Sequence, residues 1–137
     1  MAVRPLTRGR VISVFGCGGN RSPDKRPIMG RLSATLADIT VVTSDNPRKE
    51  KPEEIISQIM AGIFDLSPDQ RHEVHTEVDR RKAIESAVGM ARAGDVILIA
   101  GKGHETGQTF ADRTMPFDDR EVVRQILQGR KEEVAHA

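Results

Sequence analysis

The chain has 137 residues, with 21 Lys+Arg against 20 Asp+Glu, a formal charge of +1, four Phe and neither Trp nor Tyr. That length suits one domain burying about two-thirds of its unfolded surface, and the balanced charge with so few stacking rings argues against nucleic acid or an anionic membrane as partners. The single cysteine, Cys17, excludes an internal disulfide and a cysteine-based zinc site and fits a reducing cytoplasm, while no apolar run approaches the roughly 18 residues of a membrane span and Met1 to Arg10 lacks a signal-peptide core.

In chain order, Val11 to Phe15 is a β-branched apolar run that stops at Gly16-Cys17-Gly18-Gly19, as a buried parallel strand feeding a turn does. Pro27 suits the first turn of a helix whose apolar residues Ile28, Met29, Leu32, Leu36 and Ala37 recur near helical spacing. A second strand is predicted through Thr40 to Thr43, and a second helix opens at Pro52 and carries Ile55, Ile56, Ile59, Met60 and Ile63 before Gly62 and Pro68 end it. Glu73 to Val78 alternates enough for a half-exposed strand, and Asp79 can cap a helix bearing Ala83, Ile84, Ala87, Val88 and Met90. Asp95 to Ala100 is the most apolar strand candidate and is expected at the centre of the sheet. A poorly patterned stretch with Phe110 and Phe117 leads to a last helix from Asp118-Asp119 through Leu127.

Strands alternating with helices of these lengths predict an α/β fold, a Rossmann-like doubly wound, mainly parallel sheet with helices on both faces. Ligands of such sheets bind beyond the carboxyl ends of the strands. Three polar clusters follow strands and belong on that edge: Gly16 to Arg26, Asp45 to Arg48, and Gly101 to Glu105.

The first cluster fails the G-x-G-x-x-G dinucleotide pattern because Arg21 stands where the third glycine belongs, so its glycines serve either a turn with positive φ or close approach of a ligand or partner to the backbone. In the second, Pro47 stiffens the backbone between the Asn46 amide and the Arg48 guanidinium, two good carboxylate binders, with Asp45 or Asn46 as the turn former. The plain alternative is a turn with a solvated arginine. In the third, Lys102, His104 and Glu105 lie among glycines, where a purely structural loop has little use for three titratable groups. His104 reads as a loop anchor, a base or a phosphate contact, and Glu105 suits an ammonium group. Arg26 either opens a solvated helix or pairs with a carboxylate. His72, His75 and His136 have no metal-site spacing, and no metal is expected.

The ordered motifs Val14-Phe15-Gly16-Cys17-Gly18-Gly19-Asn20-Arg21, Lys25-Arg26-Pro27-Ile28-Met29-Gly30, Thr43-Ser44-Asp45-Asn46-Pro47-Arg48, Ala100-Gly101-Lys102-Gly103-His104-Glu105 and Pro116-Phe117-Asp118-Asp119-Arg120-Glu121 closely resemble the C-terminal domain of the MurE ligases. The resemblance covers about Arg10 to Leu127 and implies an amino-acid-binding domain of an ATP-dependent ligase of peptidoglycan synthesis. By that resemblance Arg48 and Asn46 hold meso-diaminopimelate, Arg26 adds a cationic contact, and Gly101 (through its backbone) and Glu105 grip the distal amino and carboxylate end. Asp45, Pro47, Lys102 and His104 support the loops.

The resemblance places no catalytic residue in this chain. No G-x-x-x-x-G-K-[ST] pattern is present, so ATP and Mg2+ are expected mainly outside the chain, and the UDP-muramoyl dipeptide is expected to be reached through other domains. The implied organisation is an N-terminal extension over 1–9, the domain over 10–128 without its first strand and helix, and a flexible tail over 129–137. Such a chain is expected to be inactive alone. Two other readings are a free-standing non-catalytic module that binds diaminopimelate or a partner protein, and a nucleotide-binding Rossmann domain, which the failed glycine pattern disfavours.

Overall fold

The computed structural model describes residues 9–102 and 105–136. Four strands, β1 (Val11–Phe15), β2 (Ile39–Val42), β3 (Glu73–Thr76) and β4 (Val96–Ala100), form one sheet in the order β3-β2-β1-β4. All three pairings are parallel, with Ile12 opposite Ile39 and Ile97 on its two sides. The helices are α1 (Lys25–Leu36), α2 (Pro52–Phe64), α3 (Arg80–Met90) and α4 (Asp119–His136). A small antiparallel hairpin, β5 (Gly107–Thr109) and β6 (Thr114–Pro116), lies between β4 and α4 in the chain.

The two-residue period of a strand sorts β1 and β2 between two cores. Ile12, Val14, Ile39 and Val41 pack with Ala83, Ile84, Ala87 and Val88 of α3 and Val122 of α4. Phe15 and Val42 instead meet Ala34 of α1 and Ile55, Ile56, Ile59 and Ile63 of α2. Helices therefore cover both faces, as the strand and helix alternation predicts. Full burial of a side chain such as Ile59 contributes about 1.5–3 kcal/mol.

Gly62 sits inside α2 and does not end it, because that helix crosses α1 so closely that a Cβ at Gly62 would lie 1.9 Å from the Pro27 carbonyl oxygen. The helix start at Pro52 and the Asp79 cap agree with the sequence; the Asp79 carboxylate accepts from the Lys82 amide at 3.0 Å. β4 departs from expectation. It ends the sheet order and all five of its residues are only half-buried. An unbroken apolar run reports contact on both faces of a strand and carries no information about its neighbours along the sheet. The stretch around Phe110, which shows no pattern in sequence, forms the hairpin, whose three-residue strands are too short to display a period. α4 continues well past Leu127, where its apolar pattern stops.

Candidate functional site

From β1 the chain moves outward to β2 and β3 on one side and then returns to place β4 on the other, so the direction of winding reverses beside β1. Crevices at such reversals open at the carboxyl ends of the strands. There the structure brings together Gly16–Asn20 after β1, Ser44–Arg48 after β2, and Gly101, Lys102 and Glu105 after β4. His104 lies outside the described residues.

Asn46 is the hub. It is buried, and its side-chain oxygen accepts from the Lys102 ammonium and from the Thr109 amide, both at 2.9 Å. With the oxygen so held, the amide nitrogen faces Glu105 and donates to its carboxylate at 2.6 Å. The Asn46 backbone oxygen accepts from the Gly19 amide at 2.7 Å. Each of these bonds ties one loop to another.

Lys102 is buried as well, its ammonium 3.0 Å from the Gly107 carbonyl oxygen and 3.3 Å from an Asp45 carboxylate oxygen. Burial pushes the Lys102 pKa below its usual value, and the Asp45 carboxylate opposes that shift. The Asp45 carbonyl accepts from Gln108 at 2.9 Å, and the Arg48 amide donates to the Thr109 carbonyl at 2.9 Å, so the hairpin fastens the Asp45–Arg48 loop from above. Lys102 and Asp45 therefore build the wall, and their charges point inward. Pro47 is also buried, as a stiff support.

Arg48 adopts a left-handed conformation, φ 53°, costly for a residue with a side chain and held here by the bonds on either side. Its Nη1 donates to the Gly19 carbonyl at 2.9 Å and stands 3.5 Å from the Asn46 carbonyl oxygen. Arg48 is half-exposed. Glu105 and Gly101 are exposed, the latter with φ 115°. A cation and a carboxylate on one rim, joined through Asn46, match the two ends of an amino-acid zwitterion.

The glycines after β1 serve close approach by the chain's own backbone. A Cβ on Gly19 would lie 1.7 Å from the Pro47 carbonyl oxygen, and one on Gly16 would lie 2.4 Å from that of Thr43. Positive φ, the other reading of these glycines, is confined among the described glycines to Gly94 and Gly101. Packed in this way, the Gly16–Gly19 turn does not fit a nucleotide phosphate, and the Lys102 ammonium turns away from the surface. Among the described residues, the groups at this edge do not fit the phosphates of ATP.

Arg26 is placed differently from the other candidates. It is buried, with Nη1 donating to Glu50 at 3.0 Å and Gln58 at 2.8 Å, and Nη2 donating to Glu50 at 2.8 Å and the Gly18 carbonyl at 2.9 Å. Hydrogen bonds from Arg26 hold the Glu50 carboxyl below its usual pKa and raise that of Arg26. Only Nε has no hydrogen-bond partner among the described residues. Arg26 thus braces the floor under the Gly18–Asn20 turn. Cys17 lies nearby, where burial raises its thiol pKa against the opposing pull of Arg26.

Sequence reasoning misses Glu50, Gln108 and Thr109 as partners. Glu50 sits in the charged run Lys49-Glu50-Lys51, which resembles any solvated surface, and Gln108 belongs to the unpatterned stretch. Among the described residues no group of three His, Cys, Asp or Glu could hold a metal ion, and no helix is long and apolar enough to cross a membrane.

Comparison with known proteins matches residues 1–103 to the family described as Mur ligase, glutamate ligase domain. UDP-N-acetylmuramoyl-L-alanyl-D-glutamate--2,6-diaminopimelate ligases from Chelativorans sp. (strain BNC1) and Gloeobacter violaceus are 52% and 53% identical over 94% and 95% of the chain. These matches span 25% and 26% of the relatives' lengths, so the chain corresponds to about a quarter of each. The Aquifex aeolicus ligase of the same name is 48% identical over 92% of the chain and 25% of its own length. A solved structure of a ligase of that name superimposes with a TM-score of 0.82 at 38% identity, covering 91% of the chain and 25% of the solved one.

Proposed function

The chain belongs to the Mur ligase family through its glutamate ligase domain, and from that premise we propose that it is the amino-acid-binding domain of an ATP-dependent ligase that adds meso-diaminopimelate to UDP-N-acetylmuramoyl-L-alanyl-D-glutamate in peptidoglycan synthesis. The observation that carries the reading is the Arg48–Asn46–Glu105 rim. Arg48 receives a carboxylate of the diamino diacid, Glu105 its ammonium, and Asn46 orients the Glu105 carboxylate through a 2.6 Å bond. Gly101 leaves the rim uncrowded.

This chain's share of the reaction is to hold the incoming amine in line with a D-glutamyl carboxylate activated elsewhere. Fixing that geometry in advance removes translational and rotational entropy from the barrier. ATP, Mg2+ and the UDP-muramoyl dipeptide then bind mainly to other parts of the ligase, in the cytoplasm, and the 137-residue chain alone forms no amide bond. Lysine lacks one carboxylate of diaminopimelate and leaves Arg48 without a partner. Because Arg48 is only half-buried, water recovers part of that loss, and discrimination is expected at about ten- to a hundredfold. That is below the roughly thousandfold a fully buried guanidinium would give.

An amide titration by NMR tests the proposal. Meso-diaminopimelate is expected to shift Asn46, Arg48, Gly101, Lys102 and Glu105 in fast exchange, with L-lysine producing the same shifts only at much higher concentration. Equal responses to both ligands would remove Arg48 as the selector. No response from a folded chain would remove the small-molecule site from this chain alone.

A further inference from the structure

The largest fully buried polar side chain besides Arg26 is Arg80, which has no place in the rim and no signal in the sequence. It is the first residue of α3, followed by Arg81 and Lys82. In the fold Arg80 is 1% exposed and its guanidinium grips three elements at once. Nε and Nη2 donate to the two oxygens of Asp119, each at 2.8 Å, at the start of α4. Nη1 donates to the Ser44 carbonyl at 2.9 Å, and Nη2 also donates to the Ala100 carbonyl at 3.1 Å.

Those two carbonyls stand at the roots of the two sides of the rim. Ser44 leads directly into Asp45, Asn46, Pro47 and Arg48, and Ala100 leads into Gly101 and Lys102. Their strands, β2 and β4, are not neighbours; β1 lies between them, so no sheet hydrogen bond relates the two loops. Arg80 is a rigid, planar group that spans the end of β1 and fixes one loop against the other. Ser44 is held a second time, its hydroxyl donating to the Val78 carbonyl at 2.6 Å, just before α3.

We propose that Arg80 is a positioning residue for the amino-acid site: its guanidinium sets the separation between the Asn46–Arg48 and Gly101–Glu105 sides of the rim without touching the ligand. The inference rests on the reading of that rim as an amino-acid site. A zwitterion held at both ends needs its two anchors placed to within about half an ångström. Of the side-chain links between them, Asn46 to Glu105 ends on an exposed carboxylate and Lys102 to Asn46 and Asp45 runs through a flexible four-carbon stem, whereas Arg80 holds the backbone carbonyls of both sides.

The test uses the whole chain with Arg80→Lys, which keeps a cation beside Asp119 but cannot reach both carbonyls. Residual dipolar couplings of backbone amides report orientation without ligand, and the meso-diaminopimelate titration reports affinity. In Arg80→Lys the couplings of β1, β2 and β3 are expected to fit the structure while those of Asp45, Asn46, Gly101 and Lys102 depart from it, with Kd weakened about tenfold or more. A purely structural role lowers the unfolding midpoint and leaves Kd of the folded chain within about twofold of the parent, which would overturn the proposal. If Arg80→Lys does not fold, Asp119→Asn breaks the charged fork and keeps both carbonyl bonds. Affinity within about threefold of the parent is then expected, and a tenfold loss would place the effect in the ion pair and overturn the brace. A parent chain that binds no diaminopimelate refutes the reading of the rim instead, and the ligand-free couplings still decide the role of Arg80.

Discussion

Replacing Asn46 separates its two duties, because alanine removes both ends of the amide and aspartate removes only the donor. In Asn46→Ala the Lys102 ammonium and the Thr109 amide each lose a 2.9 Å acceptor. The charge-assisted bond to Lys102 accounts for roughly 1.5–3 kcal/mol, and the part-buried Thr109 amide left without a partner costs up to about 1–3 kcal/mol more. The sum is about 3–5 kcal/mol, less if a water enters the gap. At roughly 2 kcal/mol per molar, a typical slope for urea, the unfolding midpoint falls by about 1.5–2.5 M. Asn46→Asp keeps the acceptor and gives Lys102 a charged partner, so stability stays within about 1 kcal/mol of the parent at neutral pH. Its second oxygen, however, faces Glu105 where the parent has a 2.6 Å hydrogen bond. Two carboxylates at that separation repel by about 1.5 kcal/mol even at the dielectric of water, so Glu105 swings away and the diaminopimelate binding proposed above is expected to be lost. Urea denaturation and ligand titration of both variants provide the measurement. An alanine variant less than about 1 kcal/mol below the parent, or an aspartate variant that binds normally at neutral pH, would refute this account of the hub.

The Gly19→Ala variant places a methyl group 1.7 Å from the Pro47 carbonyl oxygen, which is backbone and can only yield by moving the Asp45–Arg48 loop. A loss of about 2–4 kcal/mol in thermal unfolding is expected, with displaced Asn46 and Arg48 amide resonances; an unchanged melting temperature would show that the turn is loose. Acid stability should turn on Asp95, whose pKa is lowered to about 2 by hydrogen bonds from the Arg10 and Arg92 amides and the Arg10 guanidinium. A depressed carboxylate pKa stabilises the fold above the unfolded value near 3.8 and loses that contribution as pH falls toward 2. Urea midpoints measured between about pH 5 and about pH 2 should therefore decline less steeply in Asp95→Asn than in the parent, and parallel declines would exclude the role.

The rim is largely legible in the amino-acid order alone. Asn46, Arg48, Gly101 and Glu105 all come after strands, and the rule that parallel sheets bind ligands at their carboxyl ends requires only the order of elements. Lys102 and Asp45 are legible as members of the same loops but not as an inward-facing pair, since sequence shows that a charge is present and not where it points. Arg26 illustrates the limit. Its position beside Pro27 shows a cation at the sheet edge but not the buried cluster it forms, whose partners Glu50 and Gln58 lie 24 and 32 residues away.

Local chemistry determined what the sequence could settle alone: apolar runs of strand length, prolines at helix starts, the Asp79 cap and the polar clusters between them are all properties of neighbouring residues. Only the tertiary structure decided what depends on partners distant in the chain. The order β3-β2-β1-β4 puts the most apolar strand at the end of the described sheet, the α1 and α2 crossing needs Gly62 within a helix, and the Arg80 guanidinium reaches Ser44, Ala100 and Asp119 across 36, 20 and 39 residues. Hydrogen bonds and close packing act at about 3–4 Å regardless of separation along the chain, so they leave no periodic trace in the sequence that produces them.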